Sequence, residues 1–517
     1  MEPTAKKILL ITPTSSKSLT GFSYAGPHLG GLRMAGFLAG RGHDAECFDT
    51  NLKMVTGEGP TLEEKLAEKP WDIIGVSFLD ETLERDISNL YLAKKICPFA
   101  KLVAGGIEAQ FNYQAILDSS PCNIVVQGEG EIPLLMLANG TPPGEIPGVI
   151  SKNTAKALDE DLFNEATSAI GWETINYESY WDHWKNFYQE NGQYTDLVET
   201  EIHTARVFAR NRCPIGCKYC SSTGQLTAAT GENVPVISGT DENLINVIER
   251  IVKAHPRVRT IYFTDDDFCI NRPAAIRLAE KLAERDFGDL TFMCYARITD
   301  ITEKLAVAFK KANFRLLYIG VETFSENVLE EIGKMCSAEQ IHRGLKILKD
   351  LDLKTFFNIM LTTPKSTLAD VQETVCWGLK YLGDDFYGGG IIPAIEPLKG
   401  TGLTAMHWDY KSKMVKVGDT DHYLRRDFLI WPEDPYVRLA LQRYLDGVDK
   451  ETEKLAQQDD IAHQRPQSIA IYQLRYMKRL LKEIGEEFPE AAGHLARADS
   501  SPRRLNAAFL SGILSHP

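Results

Sequence analysis

Three closely spaced cysteines are the residues of this sequence with the clearest chemical potential. Cys213, Cys217 and Cys220 stand in "RNRCPIGCKYCSST", and the stretch supplies no fourth cysteine. A structural zinc site is closed by four ligands, and a two-cluster ferredoxin carries a second cysteine group, so neither pattern is completed. Three thiolates on a [4Fe-4S] cluster leave one iron with an open position, as a catalytic cluster requires. We interpret the segment as a cluster site whose missing ligand belongs to a reactant.

The cysteines follow the first of six candidate strands in the second half of the chain. These strands are "ARVFAR", "RTIYFTDDD", "LTFMCYAR", "RLLYIGVET", "KTFFNIMLT" and "FYGGGIIPA", and helical segments such as "AAIRLAEKLAER" separate them. Six strand and helix units predict a partial or complete TIM-type (βα)6 barrel over residues 204–410. The chemistry of such barrels lies at the C-terminal ends of the strands, where the cysteine segment falls.

Charged residues end the next three strands of the predicted barrel. The second strand ends in Asp265, Asp266 and Asp267, the third in Arg297 and the fourth in Glu322. Each of these residues could instead have a purely structural role, because the aspartates could cap the next helix and Arg297 could form an ion pair with Glu322. Their shared location with the thiolates favours a functional site.

The first 150 residues predict a second α/β domain. The apolar runs "KILLIT", "DIIGVSF", "AKLVAGG" and "CNIVVQGEGE", with a weaker one near "DAECFD", alternate with helical stretches. This alternation predicts a doubly wound, Rossmann-like parallel sheet covered on both faces. Ligands of such sheets bind at the carboxyl ends of the strands, where small residues allow close approach. The residues at those ends are Ser77, Gly105, Gly106, Gly128, Glu129 and Gly130. These glycines could serve only as tight turns, but their recurrence at successive strand ends favours a ligand.

The remaining segments receive a coarser interpretation. Residues 151–203 are rich in Trp and Tyr and lack clear periodicity, which indicates a linker packed against another element. Its aromatic side chains could line a cavity, but packing of a connector is the commoner role. Residues 411–517 have apolar residues at helical spacing and predict a C-terminal helical domain, either a cap on the barrel or a lid over it.

Composition limits the partners that we expect. The chain has 517 residues, 57 Lys and Arg against 71 Asp and Glu, and a formal net charge of −14. Without a Lys/Arg-rich run, nucleic acid is not a predicted partner. The start, "MEPTAKKILLITPTSS", has too short an apolar stretch for a signal peptide, and no later segment reaches the length of a membrane span. These features predict a cytoplasmic protein, in which ten cysteines form no disulfide framework.

The cysteine segment resembles a known signature. "CPIGCKYC", with the aromatic Tyr219 before its last cysteine, resembles the C-x3-C-x-aromatic-C motif of radical S-adenosylmethionine (SAM) enzymes. The resemblance implies that Cys213, Cys217 and Cys220 hold a [4Fe-4S] cluster whose fourth iron is chelated by the amino and carboxylate groups of SAM. It further implies reductive cleavage of SAM to a 5′-deoxyadenosyl radical, with an external electron donor such as flavodoxin or ferredoxin.

The same resemblance assigns roles to the charged strand ends. "YFTDDDF", with Asp265 and Asp266, occupies the place of the family motif that contacts the methionine amino group. "YIGVETFSENVLEEIGK" is similar to the family's I-G-x-E-S segment and the V-L-x-x-I-x-K helix that follows. By this match Glu322 faces the SAM ribose and Arg297 lies near the SAM carboxylate.

The first 150 residues resemble the cobalamin (B12)-binding domain that precedes many radical SAM barrels. The resemblance is carried by "VSFLDETLERDISNLYLAKKICPFAKLVAGGIEAQF" and "IVVQGEGEIPLLML", and it implies that the strand-end residues cradle cobalamin. Other B12 proteins supply a histidine to cobalt from Asp-x-His-x-x-Gly, where this chain has "LDETLERD". His28 and His43 are the only histidines of the domain. We therefore predict a cobalt without a histidine lower ligand, a state suited to methyl transfer.

Together these observations predict a cobalamin-dependent radical SAM enzyme that methylates an unactivated carbon of a small-molecule or natural-product intermediate. One alternative keeps the same cofactors but performs a radical cyclisation, rearrangement or other carbon modification without methyl transfer. A remote alternative is a non-catalytic Fe–S or zinc protein in which Cys269, just beyond a strand end, supplies the fourth ligand. The predicted domains are 1–150, 151–203, 204–410 and 411–517.

Overall fold

The computed structural model describes most of the chain. The described residues are 4–14, 26, 28–79, 82–149, 154–190, 192, 196–383, 386, 388–396, 398, 400–403, 414–417, 420–423, 429–458 and 468–499. They divide into two compact units. The first contains residues 1–214, 221–265 and 409–427, and the second contains residues 215–220, 266–408 and 428–517.

The first unit contains a five-stranded parallel sheet. Its strands are β1 (Lys7–Ile11), β2 (Asp44–Phe48), β3 (Ile73–Ser77), β4 (Lys101–Gly105) and β5 (Ile124–Val125), in the spatial order β2-β1-β3-β4-β5. Alternate residues of β1 enter different cores. Leu9 packs in the core on one face of the sheet, and Ile8 and Leu10 pack in the core on the other. Because both faces are covered, the strands read as continuous apolar runs.

The helices of this unit connect the strands and extend into the aromatic segment. The α-helices are Leu29–Gly40, Thr50–Thr56, Leu62–Ala67, Leu83–Ile96, Ile107–Phe111, Tyr113–Ser119, Glu131–Ala138, Glu160–Ser168, Tyr177–Glu190, Asp196–Ile202, Ser222–Thr230 and Asp241–Ala254. Short 3-10 helices occupy Pro143–Glu145 and Trp172–Thr174.

Residues 151–203, the aromatic segment, contain more regular secondary structure than the sequence predicted. It was predicted to lack periodicity, but it forms three of the α-helices above. In Tyr177–Glu190 the buried side chains are Tyr177, Tyr180, Trp181 and Trp184. Their spacing places them along one face of a helix, so the segment packs as an amphipathic helix.

The second half of the chain supplies the strands of the predicted barrel. In the first unit, β6 (Thr204–Val207) pairs in parallel with β7 (Thr260–Phe263). In the second unit, β8 (Thr291–Arg297), β9 (Phe314–Glu322), β10 (Lys354–Thr362) and β11 (Gly388–Ala394) pair in parallel in chain order. All six predicted strands are present.

Helices of the second unit follow these strands and form most of its C-terminal part. They are Arg272–Ala283, Glu303–Lys311, Glu326–Glu331, Ala338–Asp350, Leu368–Gly383, Pro435–Gln458, Ser468–Glu487 and Pro489–Asp499, with a 3-10 helix at Ile298–Asp300. None of the described helices has the length and apolar character needed to cross a bilayer.

The region beyond residue 410 is not entirely helical, which corrects the prediction. It begins with an antiparallel pair, β12 (Met414–Val417) and β13 (Thr420–Tyr423), in the first unit. The sequence interpretation missed this hairpin because each strand has only four residues. Helices follow it, as predicted.

Candidate functional site

A cavity of about 330 Å3 opens in the first unit at the carboxyl ends of its parallel strands. It brings together every residue that the sequence placed at a ligand site of this domain. These residues are Ser77, Gly105, Gly106, Gly128, Glu129 and Gly130. The predicted clustering of strand ends is therefore present, although what the cavity holds stays a prediction.

Two of the glycines contribute to the cavity in different ways. Gly106 has φ of +90°, and a Cβ there would lie 2.7 Å from the carbonyl oxygen of Phe78, so the backbone itself requires glycine. A Cβ on Gly105 would meet nothing closer than the carbonyl oxygen of Val126 at 3.9 Å. Gly105 therefore leaves open space in the cavity wall rather than satisfying a packing need.

A buried charge cluster lies against the same cavity. The Arg33 guanidinium donates from Nε to Glu131 at 2.6 Å and from Nη2 to Glu129 at 3.4 Å. Glu129 also accepts the backbone N–H of Leu158 at 2.8 Å. Burial raises the pKa of Glu129, and Arg33 opposes that rise. Sequence reasoning found Glu129 but missed Arg33 and Glu131, since only the fold brings the helix Leu29–Gly40 to them.

The segment that leads into the cysteines also lines the cavity. Phe208, Arg210 and Asn211, which follow β6, line it together with Gln225 and Leu226 of the helix Ser222–Thr230. Cavity residues therefore stand in the chain on both sides of the cysteine segment. This arrangement could not be read from the sequence, which predicted the two domains separately.

Hydrogen bonds hold both flanks of the cysteine segment to the first unit. The side chain of Asp265 accepts the backbone N–H groups of Ala209 and Arg210 at 2.8 and 2.7 Å. Gln110 donates from Nε2 to the carbonyl oxygen of Gln225 at 2.7 Å. Asp265 thus fixes the loop before the cysteines, a structural role that the sequence did not suggest.

The cysteines are largely enclosed. Cys213 and Cys217 are buried and Cys220 is half-buried. The backbone N–H of Cys220 donates to the carbonyl oxygen of Cys217 at 3.1 Å, and Gly216 has φ of +73°, so the segment turns tightly between its cysteines. Burial raises the pKa of the Cys217 thiol, while the nearby Lys334 and Arg297 lower it. Two cations near a buried thiol suit a site that must hold thiolates, and thiols are the donor type that iron–sulfur clusters use. Among the described residues, however, the three thiols are not arranged closely enough to hold a metal ion.

Glu322 is the centre of a buried polar network in the second unit. It accepts a hydrogen bond from Lys334 Nζ at 2.8 Å and another from the Tyr219 hydroxyl at 2.9 Å. The Lys334 and Glu322 side chains are only 7% and 8% exposed. Burial and the Glu322 carboxylate raise the pKa of Tyr219 well above its ordinary value. The suggested ion pair with Arg297 is therefore replaced by one with Lys334.

Arg297 ends β8 and bonds to backbone instead. Its Nη2 donates to the carbonyl oxygens of Lys334 and Met335 at 3.0 and 3.4 Å. It thereby fixes the turn that carries Lys334. Sequence reasoning missed Lys334 as a site residue, although it is the lysine that ends the V-L-x-x-I-x-K pattern.

The aspartates that follow β7 differ in exposure. Asp265 and Asp267 are buried, whereas Asp266 is exposed. Burial, together with the neighbouring Asp300 carboxyl, raises the pKa of Asp267 to about 8. The expected contact of Asp265 and Asp266 with SAM stays a prediction.

Cys269 is not placed as a fourth cysteine ligand. Its thiol is completely buried and hydrogen-bonded with that of Cys294, and burial raises its pKa. Within the described residues, no three His, Cys, Asp or Glu side chains are arranged closely enough to hold a metal ion.

One part of the chain matches a known protein family, and more of it is similar to curated proteins. Residues 209–377 match the Radical SAM superfamily. The chain is 24% identical over 419 residues to the uncharacterized methyltransferase PH0819 of Pyrococcus horikoshii, covering 78% of this chain and 83% of that protein. It is 25% identical over 359 residues to the anaerobic magnesium-protoporphyrin IX monomethyl ester cyclase of Rubrivivax gelatinosus, covering 66% of this chain but only 60% of the cyclase.

Solved structures share the fold over most of the chain. The radical SAM methyltransferase TsrM from Kitasatospora setae, solved with cobalamin and a [4Fe-4S] cluster, has a TM-score of 0.60 at 15% identity and covers 78% of each chain. The cobalamin-dependent SAM radical enzyme OxsB, solved with aqua-cobalamin and SAM, has a TM-score of 0.66 at 14% identity and covers 99% of this chain and 75% of that one. The predicted fold class is confirmed. Residues 209–377 therefore match a radical SAM domain, and the chain shares its fold with the cobalamin-containing structures of TsrM and OxsB.

Proposed function

We propose that this enzyme uses a [4Fe-4S] cluster, SAM and cobalamin to methylate a carbon atom of a small molecule. The observation that carries the proposal is the cavity of the first unit, because its lining residues stand on both sides of the cysteine segment. A corrinoid in this cavity would contact the segments of chain that come directly before and after the cysteine segment. The names of the methyltransferase relatives support the same reaction class.

The chain's own residues divide the binding tasks. Cys213, Cys217 and Cys220 would hold the cluster, while Ser77, the strand-end glycines and Glu129 would hold the corrinoid. When bound, the cluster and SAM supply a radical that activates carbon, and the corrinoid supplies the methyl group. The buried cations near Cys217 would balance the negative charge of its thiolate.

The polar network at Glu322 would orient SAM. Its carboxylate is held in one position by Lys334 and Tyr219, so it is preorganised to accept hydroxyl hydrogen bonds of the ribose. Asp265 and Asp266 would meet the SAM ammonium and Arg297 its carboxylate, as the family resemblance implies. An external flavodoxin or ferredoxin would deliver electrons in the cytoplasm.

A test of methyl transfer does not require the natural substrate. Protein loaded anaerobically with cobalamin, chemically reduced and given methyl-labelled SAM should form S-adenosylhomocysteine in proportion to bound corrinoid. The label should remain with the corrinoid. Cobalamin-free protein is the control and should form none. Absence of corrinoid-dependent S-adenosylhomocysteine would refute methyl transfer.

The cyclase relatives favour a second candidate, a radical ring closure without methyl transfer. This alternative predicts 5′-deoxyadenosine as the SAM product, with no corrinoid-dependent S-adenosylhomocysteine. A methyltransferase on its substrate should instead form both products in roughly equal amounts. The ratio of the two products therefore separates the candidates.

A further inference from the structure

His28 lies at the cavity of the first unit, immediately before the helix Leu29–Gly40. Its position before a helix would suit a capping role, but its side chain makes no capping hydrogen bond. The side chain instead lines the cavity, half-buried. Within the described part of the chain, no hydrogen bond or ion pair engages the imidazole.

The chemistry of the other lining groups makes His28 distinctive. Arg33 is engaged by Glu129 and Glu131, and guanidinium and amide nitrogens are poor metal ligands. Among the described residues that line the cavity, His28 alone carries an imidazole. Neutral imidazole nitrogen is the commonest protein ligand for transition metals.

The environment favours the neutral form of this ring. Burial, assisted by the nearby Arg206 guanidinium, lowers the pKa of His28 to about 4. At neutral pH the ring therefore keeps one nitrogen with a free lone pair.

The sequence around His28 repeats half of the cobalt-ligand motif described above. His28 is followed by Gly31, which gives His-x-x-Gly, while Gly26 stands in place of the aspartate. Gly31 is required by packing, since a Cβ there would lie 2.7 Å from Cys47 Sγ. In the part of the chain that the structure describes, no carboxylate hydrogen-bonds the ring, so the support that strengthens many ligating histidines is absent there.

We propose that His28 would supply an imidazole nitrogen ligand to the cobalt of a corrinoid held in this cavity. This inference rests on the proposed function, and it replaces the expectation of a cobalt without histidine. His28 belongs to the connection that follows β1, whereas "LDETLERD" comes after β3 in the chain.

Electron paramagnetic resonance of the Co(II) form tests the assignment directly. The full chain is produced with and without [15N]histidine, loaded with unlabelled cobalamin, and compared with His28→Ala. We expect nitrogen splitting that changes from three lines to two on labelling and disappears in His28→Ala. His43→Ala is the matched control and should keep the splitting, since His43 does not line the cavity and accepts the backbone N–H of Lys6.

Corrinoid content measured on the same samples separates the possible failures. Bound corrinoid without nitrogen splitting, or with splitting unchanged by [15N]histidine, would overturn the ligand assignment and leave the proposed function standing. In the second case the nitrogen would come from the nucleotide base of cobalamin. A wild-type protein that binds no corrinoid would overturn the proposed function, and this inference with it.

Discussion

Replacing Lys334 by methionine tests whether Glu322 is a charged, buried centre. The change removes the ammonium 2.8 Å from Glu322 and leaves a carboxylate whose side chain is only 8% exposed. Loss of one partner from a buried ion pair costs about 3–5 kcal/mol. We therefore expect the free energy of unfolding of the anaerobic holoenzyme at neutral pH to fall by about that amount. Denaturant midpoints of wild type and variant measure it.

The stability that the Lys334–Glu322 ion pair contributes depends on pH in a definite direction. In the wild type, burial acts to lower the pKa of Lys334, but the ion pair with Glu322 raises it overall. The contribution of the ion pair to the free energy of unfolding is therefore complete below the unfolded lysine pKa of about 10.4. It is lost as pH rises through the pKa of Lys334 in the folded protein.

An exposed pair in the same unit provides the matched control. Lys346 pairs with Asp350 at 2.6 Å, with side chains 42% and 56% exposed. Lys346→Met should change stability by less than about 0.5 kcal/mol, as for other exposed helix pairs. If Lys334→Met at neutral pH behaves like this control, Glu322 is not a buried charge, and our account of the network is wrong.

Three further predictions concern the binding regions. Changing the three cysteines of "CPIGCKYC" to alanine should remove cluster iron and SAM cleavage together; a variant retaining a full cluster would refute the ligand assignment. Gly105→Val should fill the open cavity wall and weaken corrinoid binding by about 1–3 kcal/mol, roughly 5- to 150-fold in equilibrium titrations. Gly40→Val is the control, because Gly40 also lacks close neighbours but lies outside the cavity, and it should bind corrinoid normally. Asp265→Ala should leave the buried N–H groups of Ala209 and Arg210 without their acceptor, which costs about 1–3 kcal/mol of stability for each group. The denaturant midpoint should therefore fall more than in Asp265→Asn, which keeps an acceptor oxygen. Equal midpoints for the two variants would contradict this structural role of Asp265.

Local sequence patterns predicted the strands well because the sheets are parallel and covered. β1 and β3 are nearly all buried, so each appears in the sequence as a continuous apolar run. The aromatic helix was missed although Tyr177, Tyr180, Trp181 and Trp184 have helical spacing. Phe187 and Tyr188 continue the same helical spacing and their rings contact Trp184, so the helical pattern was present in the sequence although the prediction did not use it.

Long-range partners were the part of the site that sequence could not predict. The family resemblance singled out Glu322, but its partner depends on how the helix after β9 turns back to bring Lys334 within hydrogen-bonding distance. Arg33 likewise meets Glu131 only because the sheet places separate strand ends together. Such pairings follow from tertiary geometry, which local periodicity does not encode.

We propose that one chain carries both a three-cysteine iron–sulfur cluster and a corrinoid. Composition of the anaerobically purified protein, after supply of iron, sulfide and cobalamin, tests it most directly. We predict about four iron, four sulfide and one corrinoid per chain. Zinc in place of iron and sulfide, or a full cluster with no bound corrinoid, would contradict the account.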